Sequence, residues 1–415
     1  MNGKRAAGAR KATRAIRGDA VIGGRIVEDA VIGYDAQGIG TIRVVGRGGV
    51  SALAKRARRV RGLILPGYID VHLHGAGGHD VLGPGGAEAL LVASRGGKSP
   101  ERDIVASLRA LAATAAQHGL AAIVPATVSL PLPSLRAWVR AVAVARAEQH
   151  ADALRGRARG EALILGAHTE GPAISAARKG AHDPSVLIDG SALLTALLER
   201  PEDWSALRIV TLAPELRGAD ALIDHLVKRR IIASIGHSAA TYEQAVAAWE
   251  RGARGTTHLC NGMDPFHHRT PGMVGAALMS EKPFVEMICD GVHVDLRVVR
   301  MFASILGSRL VAVSDACPVA GLGDGEFMLG SMRARVRGAH ATLADGTLVG
   351  AVSLVDQGVA NLVAAGVPIA AAANAATRAP AALLRTREIG DIAPGAAARF
   401  VAVDPTSGAL LERIA

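Results

Sequence analysis

The chain has 415 residues and is 50% hydrophobic, enough to bury a large core plus a smaller one, so composition marks it as globular. Its formal charge of +10 is scattered apart from a basic cluster in the first 17 residues and a stretch at 55–61, and only 3% of residues are aromatic, which excludes the basic face and stacking platforms of a nucleic-acid binder. No run of about 18 apolar residues free of charge occurs, so no membrane span is expected, and the isolated Cys260, Cys289 and Cys317 suggest a reducing cytoplasm rather than a disulfide framework or zinc knuckle.

Residues 1–18 carry six basic side chains, no acidic one and no apolar run of a secretory signal; residues 1–19 are expected to be a disordered tail. From 20 to 65, short β-type runs alternate with glycine turns, and a similar pattern returns in 386–415, where Gly390-Asp391-Ile392-Ala393-Pro394-Gly395 precedes an apolar strand. The two ends are expected to pair into one small β-sandwich subdomain. Between them, residues 66–385 alternate strand and helix signals, the arrangement of a parallel sheet wrapped by helices. Eight strand candidates lie near 68–73, 121–126, 162–167, 208–213, 231–235, 255–258, 284–288 and 310–314, and eight is the number of a (β/α)8 barrel. Ile104, Leu108, Leu111 and Ala115 show the three-to-four spacing of a helix packed on such a sheet. Residues 83–102 and 175–201 read as longer connections on the functional side.

Active sites of such barrels form at the carboxyl ends of the strands. The first strand ends in His72-Leu73-His74, whose alternation sends both imidazoles to one face, an arrangement suited to a divalent metal. Later strand ends supply His168-Thr169-Glu170, Gly236-His237-Ser238, Thr257-His258-Leu259 and Ser314-Asp315-Ala316. A metal hydrolase needs about three nitrogen or oxygen ligands and an open position for water, and Glu170, His237 and His258 meet that count. A separate carboxylate must take the proton of the attacking water and return it to the departing amine; Asp315 is placed for this. His118, His150, His225, His267, His268 and His340 lack strand-end placement and read as ordinary histidines.

The chain resembles the amidohydrolase superfamily through Pro66-Gly67-Tyr68-Ile69-Asp70-Val71-His72-Leu73-His74-Gly75, and the N-acetylglucosamine-6-phosphate deacetylases through an ordered series. That series comprises Glu170-Gly171-Pro172, Lys179-Gly180-Ala181-His182-Asp183-Pro184, Gly236-His237-Ser238 and Thr257-His258-Leu259-Cys260-Asn261-Gly262-Met263. It continues with Arg269-Thr270-Pro271-Gly272, Asp290-Gly291-Val292-His293-Val294-Asp295, Ser314-Asp315-Ala316 and Gly346-Thr347-Leu348-Val349-Gly350. The resemblance implies hydrolysis of the acetamide of a sugar phosphate, with Glu170, His237 and His258 holding the metal and Asp315 as the base. It further implies that His182, beside Ala181, contacts the sugar and polarises the acetyl carbonyl. Asn261, Gly262 and Arg269 would meet the phosphate, Arg269 from a neighbouring subunit of a homodimer. Asp290 and His293 would line the site, and the turn Leu348-Val349-Gly350 would close over it. The pair His72 and His74 implies a second ion, so one or two divalent metals per subunit, zinc foremost, with iron, manganese or cobalt also compatible. Ala-His-Asp-Pro and Leu-Val-Gly stand where Thr-His-Asn-Pro and Leu-Ala-Gly are frequent in the family. The competing readings are another barrel amidohydrolase, such as an N-acyl amino acid deacetylase or a dihydroorotase-like enzyme, and a non-catalytic sugar-phosphate binder.

Overall fold

A computed structural model of the chain describes residues 12–36, 38–44, 52–94, 100–157, 160–329 and 332–414. The tail at 1–11 lies outside the described residues. A strand begins at Arg14, inside the stretch 1–19 that composition marks as disordered.

Eight parallel strands form the barrel: β1 (Tyr68–Leu73), β2 (Leu120–Thr127), β3 (Ala167–Glu170), β4 (Leu207–Leu212), β5 (Ile232–Ile235), β6 (Gly255–Thr256), β7 (Phe284–Ile288) and β8 (Leu310–Val313). Every residue of β1, β2 and β8 is buried, as expected for strands covered by helices on one side and by the barrel core on the other. The helix Glu101–Gln117 turns Ile104, Leu108, Leu111 and Ala115 inward, matching the periodicity. The following helix, Leu132–Leu154, buries Trp138, whose Nε1–H donates to the Val81 carbonyl at 2.8 Å. β1 and β8 meet at a polar seam. The Asp315 N–H donates to the His72 carbonyl at 2.9 Å, and the buried Asp70 carboxylate accepts from the Ser314 backbone and hydroxyl.

One barrel strand differs from its sequence reading. The apolar run at 162–167 is not the third strand. Leu163 and Ile164 form a short strand beside Ala122 and Ile123 of β2, and β3 starts at Ala167. The break falls at Gly166, at φ +154°, where a Cβ would lie 2.7 Å from the Ala206 carbonyl oxygen, so only glycine lets the chain turn there. Consequently His168 and Glu170 lie within β3 rather than after it. After β8, a three-stranded antiparallel sheet (Gly325–Leu329, Met332–Arg337, His340–Thr342) occupies a stretch that composition assigned to the barrel alone. The connection at 83–102 holds the helix Gly86–Ser94, and the connection at 175–201 holds Gly190–Glu199.

The chain ends join as expected, but as one seven-stranded sheet rather than two separate ones. Leu410–Ile414, Phe400–Val403, Leu63–Pro66, Arg14–Ile22, Arg25–Asp35 and Gly38–Val44 pair in that order, with Arg58–Arg59 beside Arg14–Ile22. Ile16, Ile32, Tyr34, Ile64 and Phe400 form its core.

Candidate active site

Three residues at or just beyond barrel strand ends hold backbone conformations that side chains rarely adopt: His237 at φ +46°, His258 at +22° and Asp315 at +51°. Such outliers cluster where geometry serves chemistry. Together with His72, His74, Glu170 and His182 they converge on one point at the C-terminal end of the barrel.

Glu170 is the centre. Its Oε1 lies 3.0 Å from His237 Nε2, 2.7 Å from His258 Nε2 and 3.5 Å from His72 Nε2. Its Oε2 lies 3.3 Å from His74 Nε2 and 3.4 Å from His182 Nε2. Asp315 Oδ1 stands 3.1 Å from His74 Nε2 and 3.7 Å from His72 Nε2. Burial favours protonated carboxyls here, but the imidazoles outweigh it: His72 and His237 hold Glu170 well below the usual carboxylate range, and His74, His72 and His258 do the same for Asp315. Reciprocally, burial would depress His74, yet Asp315 and Glu170 push it up to about 9. Two ionised carboxylates thus demand positive charge at this centre, whether protons or a cation supply it.

For His237 and His72 an outer hydrogen bond anchors Nδ1 and leaves Nε2 facing the carboxylates. His237 Nδ1 sits 2.7 Å from the Arg178 carbonyl, which can only accept, so Nδ1 is the donor there and Nε2, 3.0 Å from Glu170, faces the carboxylate through either a proton or an ion. His72 Nδ1 faces Glu286 Oε2 at 3.1 Å, and its buried Nε2 has no hydrogen-bond partner. A ring nitrogen facing a carboxylate oxygen needs a proton or a cation between them, and imidazoles anchored through the other nitrogen are how proteins orient metal ligands. The spacings of 2.7–3.7 Å bracket the ~3.3 Å that separates donors around a tetrahedral ion with bonds of ~2.0–2.1 Å. The residues therefore fit a divalent metal. His72, His74 and Glu170 form one set of suitable spacing; Glu170, His182 and His237 form another.

His182 is different, and we do not count it as a ligand despite that spacing. Its Nδ1 receives the Ser129 backbone N–H at 3.0 Å and lies 2.8 Å from the Ser129 hydroxyl. A backbone N–H can only donate, so Nδ1 is the acceptor and the neutral ring presents Nε2–H to the site. Burial lowers its pKa, favouring that neutral form.

The remaining candidates are arranged around this cluster. Gly262, at φ +60°, backs onto His237, and a Cβ there would come within 2.7 Å of the ring. The Asn261 amide is turned toward the carbonyls of His258 and Leu259, each at 3.4 Å. His293 Nδ1 pairs with Asp290 Oδ2 at 2.7 Å, while Asp290 Oδ1 accepts the N–H groups of Val292 and His293. Gly350 packs on Asp315, and the Ala351 N–H donates to the Asp315 carbonyl at 2.9 Å; Val349 and Leu348 tie the same turn to the strand His340–Thr342. Ala181 is exposed beside the buried His182. Arg269 is exposed, and its side chain makes no hydrogen bond or ion pair among the described residues.

Sequence reasoning missed Glu286, His168 and Ser129. Glu286 sits fully buried in the otherwise apolar β7 and orients His72; a carboxylate inside a Phe-Val-Glu-Met-Ile run was a readable signal, because a buried charge requires a partner. His168 is packed beside His72, its ring held by the Val71 carbonyl and the Thr211 hydroxyl. Ser129 gave no signal, since its role depends on a contact with a residue 53 positions away.

A family model described as "Amidohydrolase family" matches residues 63–415. The chain is 34% identical over 355 residues to the N-acetylgalactosamine-6-phosphate deacetylase of Escherichia coli O157:H7, covering 85% of this chain and 86% of that protein. It is also 34% identical over 347 residues to the N-acetylglucosamine-6-phosphate deacetylase of Vibrio furnissii, covering 82% and 78%. Among solved structures, a variant N-acetyl-D-glucosamine-6-phosphate deacetylase of Mycobacterium smegmatis in complex with N-acetyl-D-glucosamine-6-phosphate aligns with a TM-score of 0.78 at 27% identity, covering 97% of this chain and 98% of that one. With the family model spanning 63–415 and a relative 34% identical over 85% of its length, this chain belongs to the amidohydrolase family.

Proposed function

We propose that the chain is a metal-dependent deacetylase that hydrolyses the acetamide of N-acetylglucosamine 6-phosphate, giving glucosamine 6-phosphate and acetate. One observation carries this reading: a buried carboxylate, Glu170, ringed by imidazole nitrogens, with the ionised Asp315 beside it. The named activities of the relatives from Vibrio furnissii and Mycobacterium smegmatis support the substrate.

Glu170, His237 and His258 would hold the catalytic ion, and His72 with His74 a second one. The mixed nitrogen and oxygen donors favour zinc and accept iron, manganese or cobalt. A bound ion of this kind lowers the pKa of water and polarises the acetyl carbonyl. Asp315, held ionised by its imidazole neighbours, takes the proton of the attacking water. It then passes that proton to the amide nitrogen as the C–N bond breaks. His182 directs its Nε2–H at the acetyl oxygen, where negative charge builds.

Asn261 and the backbone of Gly262 would receive the phosphate together with Arg269 of the partner subunit, whose guanidinium fork matches phosphate geometry. The exposed, unpaired Arg269 supports a homodimer in which each site is completed by the other chain. Ala181, His182, Asp290, His293 and the turn Leu348-Val349-Gly350 would enclose the sugar. No helix among the described residues is long and apolar enough to cross a membrane, and a cytoplasmic role in amino-sugar catabolism or cell-wall recycling follows from the proposed substrate.

The test is acetate release by metal-loaded protein from N-acetylglucosamine 6-phosphate, its galacto epimer, the unphosphorylated sugar and an N-acetyl amino acid. The relative from Escherichia coli makes the epimer a necessary arm. Turnover that requires the phosphate and falls ~10²–10⁴-fold in Asp315→Asn is expected. Turnover of the N-acetyl amino acid alone would overturn the reading.

A further inference from the structure

The opposite end of the barrel carries an arginine-lined cavity that deacetylation does not use. It has a volume of about 760 Å3 and opens at the N-terminal ends of β6, β7 and β8, against the helix Arg378–Leu383 and the chain that follows it. This volume lies within the range of small-molecule sites. Five arginines line it: Arg254, Arg309, Arg378, Arg385 and Arg387, against a single carboxylate, Asp391.

That carboxylate is already engaged. Asp391 lies 3.4 Å from Arg378 Nε and also accepts the Gly23 N–H at 3.0 Å. Arg254 lies over the Phe284 ring, 4.9 Å from its centroid, and donates to the carbonyls of Leu383 and Ala382. Arg309 donates to the carbonyls of Ala277, Leu278 and Pro283, with the exposed Glu281 its one carboxylate influence. Carbonyls position a guanidinium without neutralising it. Arg385 and Arg387 are exposed and make no side-chain hydrogen bond or ion pair among the described residues. Arg385 also sits at φ +55°, a conformation uncommon for a side chain of its size, and its charge acts on Arg254. Like charges gathered in a concave wall repel one another, and an anion of matching charge relieves that repulsion.

We propose that this cavity binds a metabolite-sized ligand bearing two phosphate groups. Planar forks suit phosphate oxygens, and five arginines against one carboxylate leave the lining a charge of about +4, which two phosphate groups of about −2 each would balance. Arg309 and Asp315 bracket β8 six residues apart, about 20 Å along an extended strand, so the ligand occupies a place distinct from the proposed sugar-phosphate site.

The test is isothermal titration of the intact, metal-loaded protein at physiological salt with fructose 1,6-bisphosphate, ADP and inorganic phosphate. Saturating glucosamine 6-phosphate keeps the C-terminal site filled. Saturable binding of at least one bisphosphate, tighter than inorganic phosphate, is expected, and comparison of the two tells a sugar from a nucleotide source. Arg385→Gln with Arg387→Gln, which removes no structural hydrogen bond, should weaken it at least about tenfold while leaving deacetylation unchanged. On the parent protein, the ligand should also shield Arg385 and Arg387 from phenylglyoxal. Absence of saturable binding, binding displaced by glucosamine 6-phosphate, or parent affinity in the double variant without shielding would each overturn the proposal.

Discussion

Gly262→Ala tests whether the backing of His237 matters to the chemistry. A Cβ at this position would lie 2.7 Å from His237 Nδ1 and 2.9 Å from Cε1, against an ordinary contact of 3.4 Å or more. The ring must therefore retreat by roughly half an ångström or more, breaking its 2.7 Å bond to the Arg178 carbonyl. That bond aims Nε2 at the Glu170 oxygen 3.0 Å away. Alanine at φ +60° adds ~1–2 kcal/mol of backbone strain. A shift of ~1 Å in a catalytic constellation costs ~10²-fold in rate, so kcat/KM for acetate release should fall by that order. The melting temperature should fall by only a few degrees, as expected for a strain of that size in a chain this large. Activity would be followed by an acetate-coupled assay and metal affinity by competition with a chromophoric chelator. Parent kcat together with parent metal affinity in Gly262→Ala would refute the reasoning.

Glu286→Gln keeps the shape of the His72 partner but removes its charge; metal affinity should drop ~10–100-fold in chelator competition, with the fold unchanged by circular dichroism. Arg269→Ala should raise KM for the sugar phosphate while leaving turnover of any unphosphorylated substrate unaltered, and mixing it with Asp315→Asn protomers should restore activity if the arginine crosses the dimer interface. His118 is held above its usual pKa by its 3.0 Å bond to Asp356, so it stabilises the fold below about pH 6.5 and the benefit is lost as pH rises through its raised value. The melting-temperature gap between parent and His118→Gln should therefore be wide near pH 6 and narrow near pH 9.

The barrel was legible because most of its strands are short apolar runs, several of which lead into histidine or aspartate, and β1 and β7 fall where the pattern puts them. The third strand was misplaced because Leu163-Ile164-Leu165 is as apolar as a barrel strand, whereas β3 itself is Ala-His-Thr-Glu, polar for the sake of the site. Local propensity points to the greasier segment; function claims the other. The metal-binding candidates were readable one strand at a time. What could not be read were the pairings that anchor them: Arg178 with His237, Ser129 with His182, and which histidine the conspicuous Glu286 would meet. Those depend on packing between distant segments, and no spacing rule encodes them. Arg269 illustrates the complementary case, a residue found by family pattern whose side chain has no partner among the described residues.

The seam between β1 and β8 ties the active site to the order in which the chain matures. Asp70 and Ser314 are 244 positions apart, and Asp315 reaches His74 and His72 only once that pair has met. A nascent chain that has emerged only as far as β7 already holds His72, His74, Glu170, His237 and His258, but not the carboxylate that completes the cluster. Contacts of such long range form late in folding. Full assembly of the centre thereby requires that synthesis has passed Asp315 and that β1 and β8 have met, so a truncated or half-folded chain lacks the completed cluster.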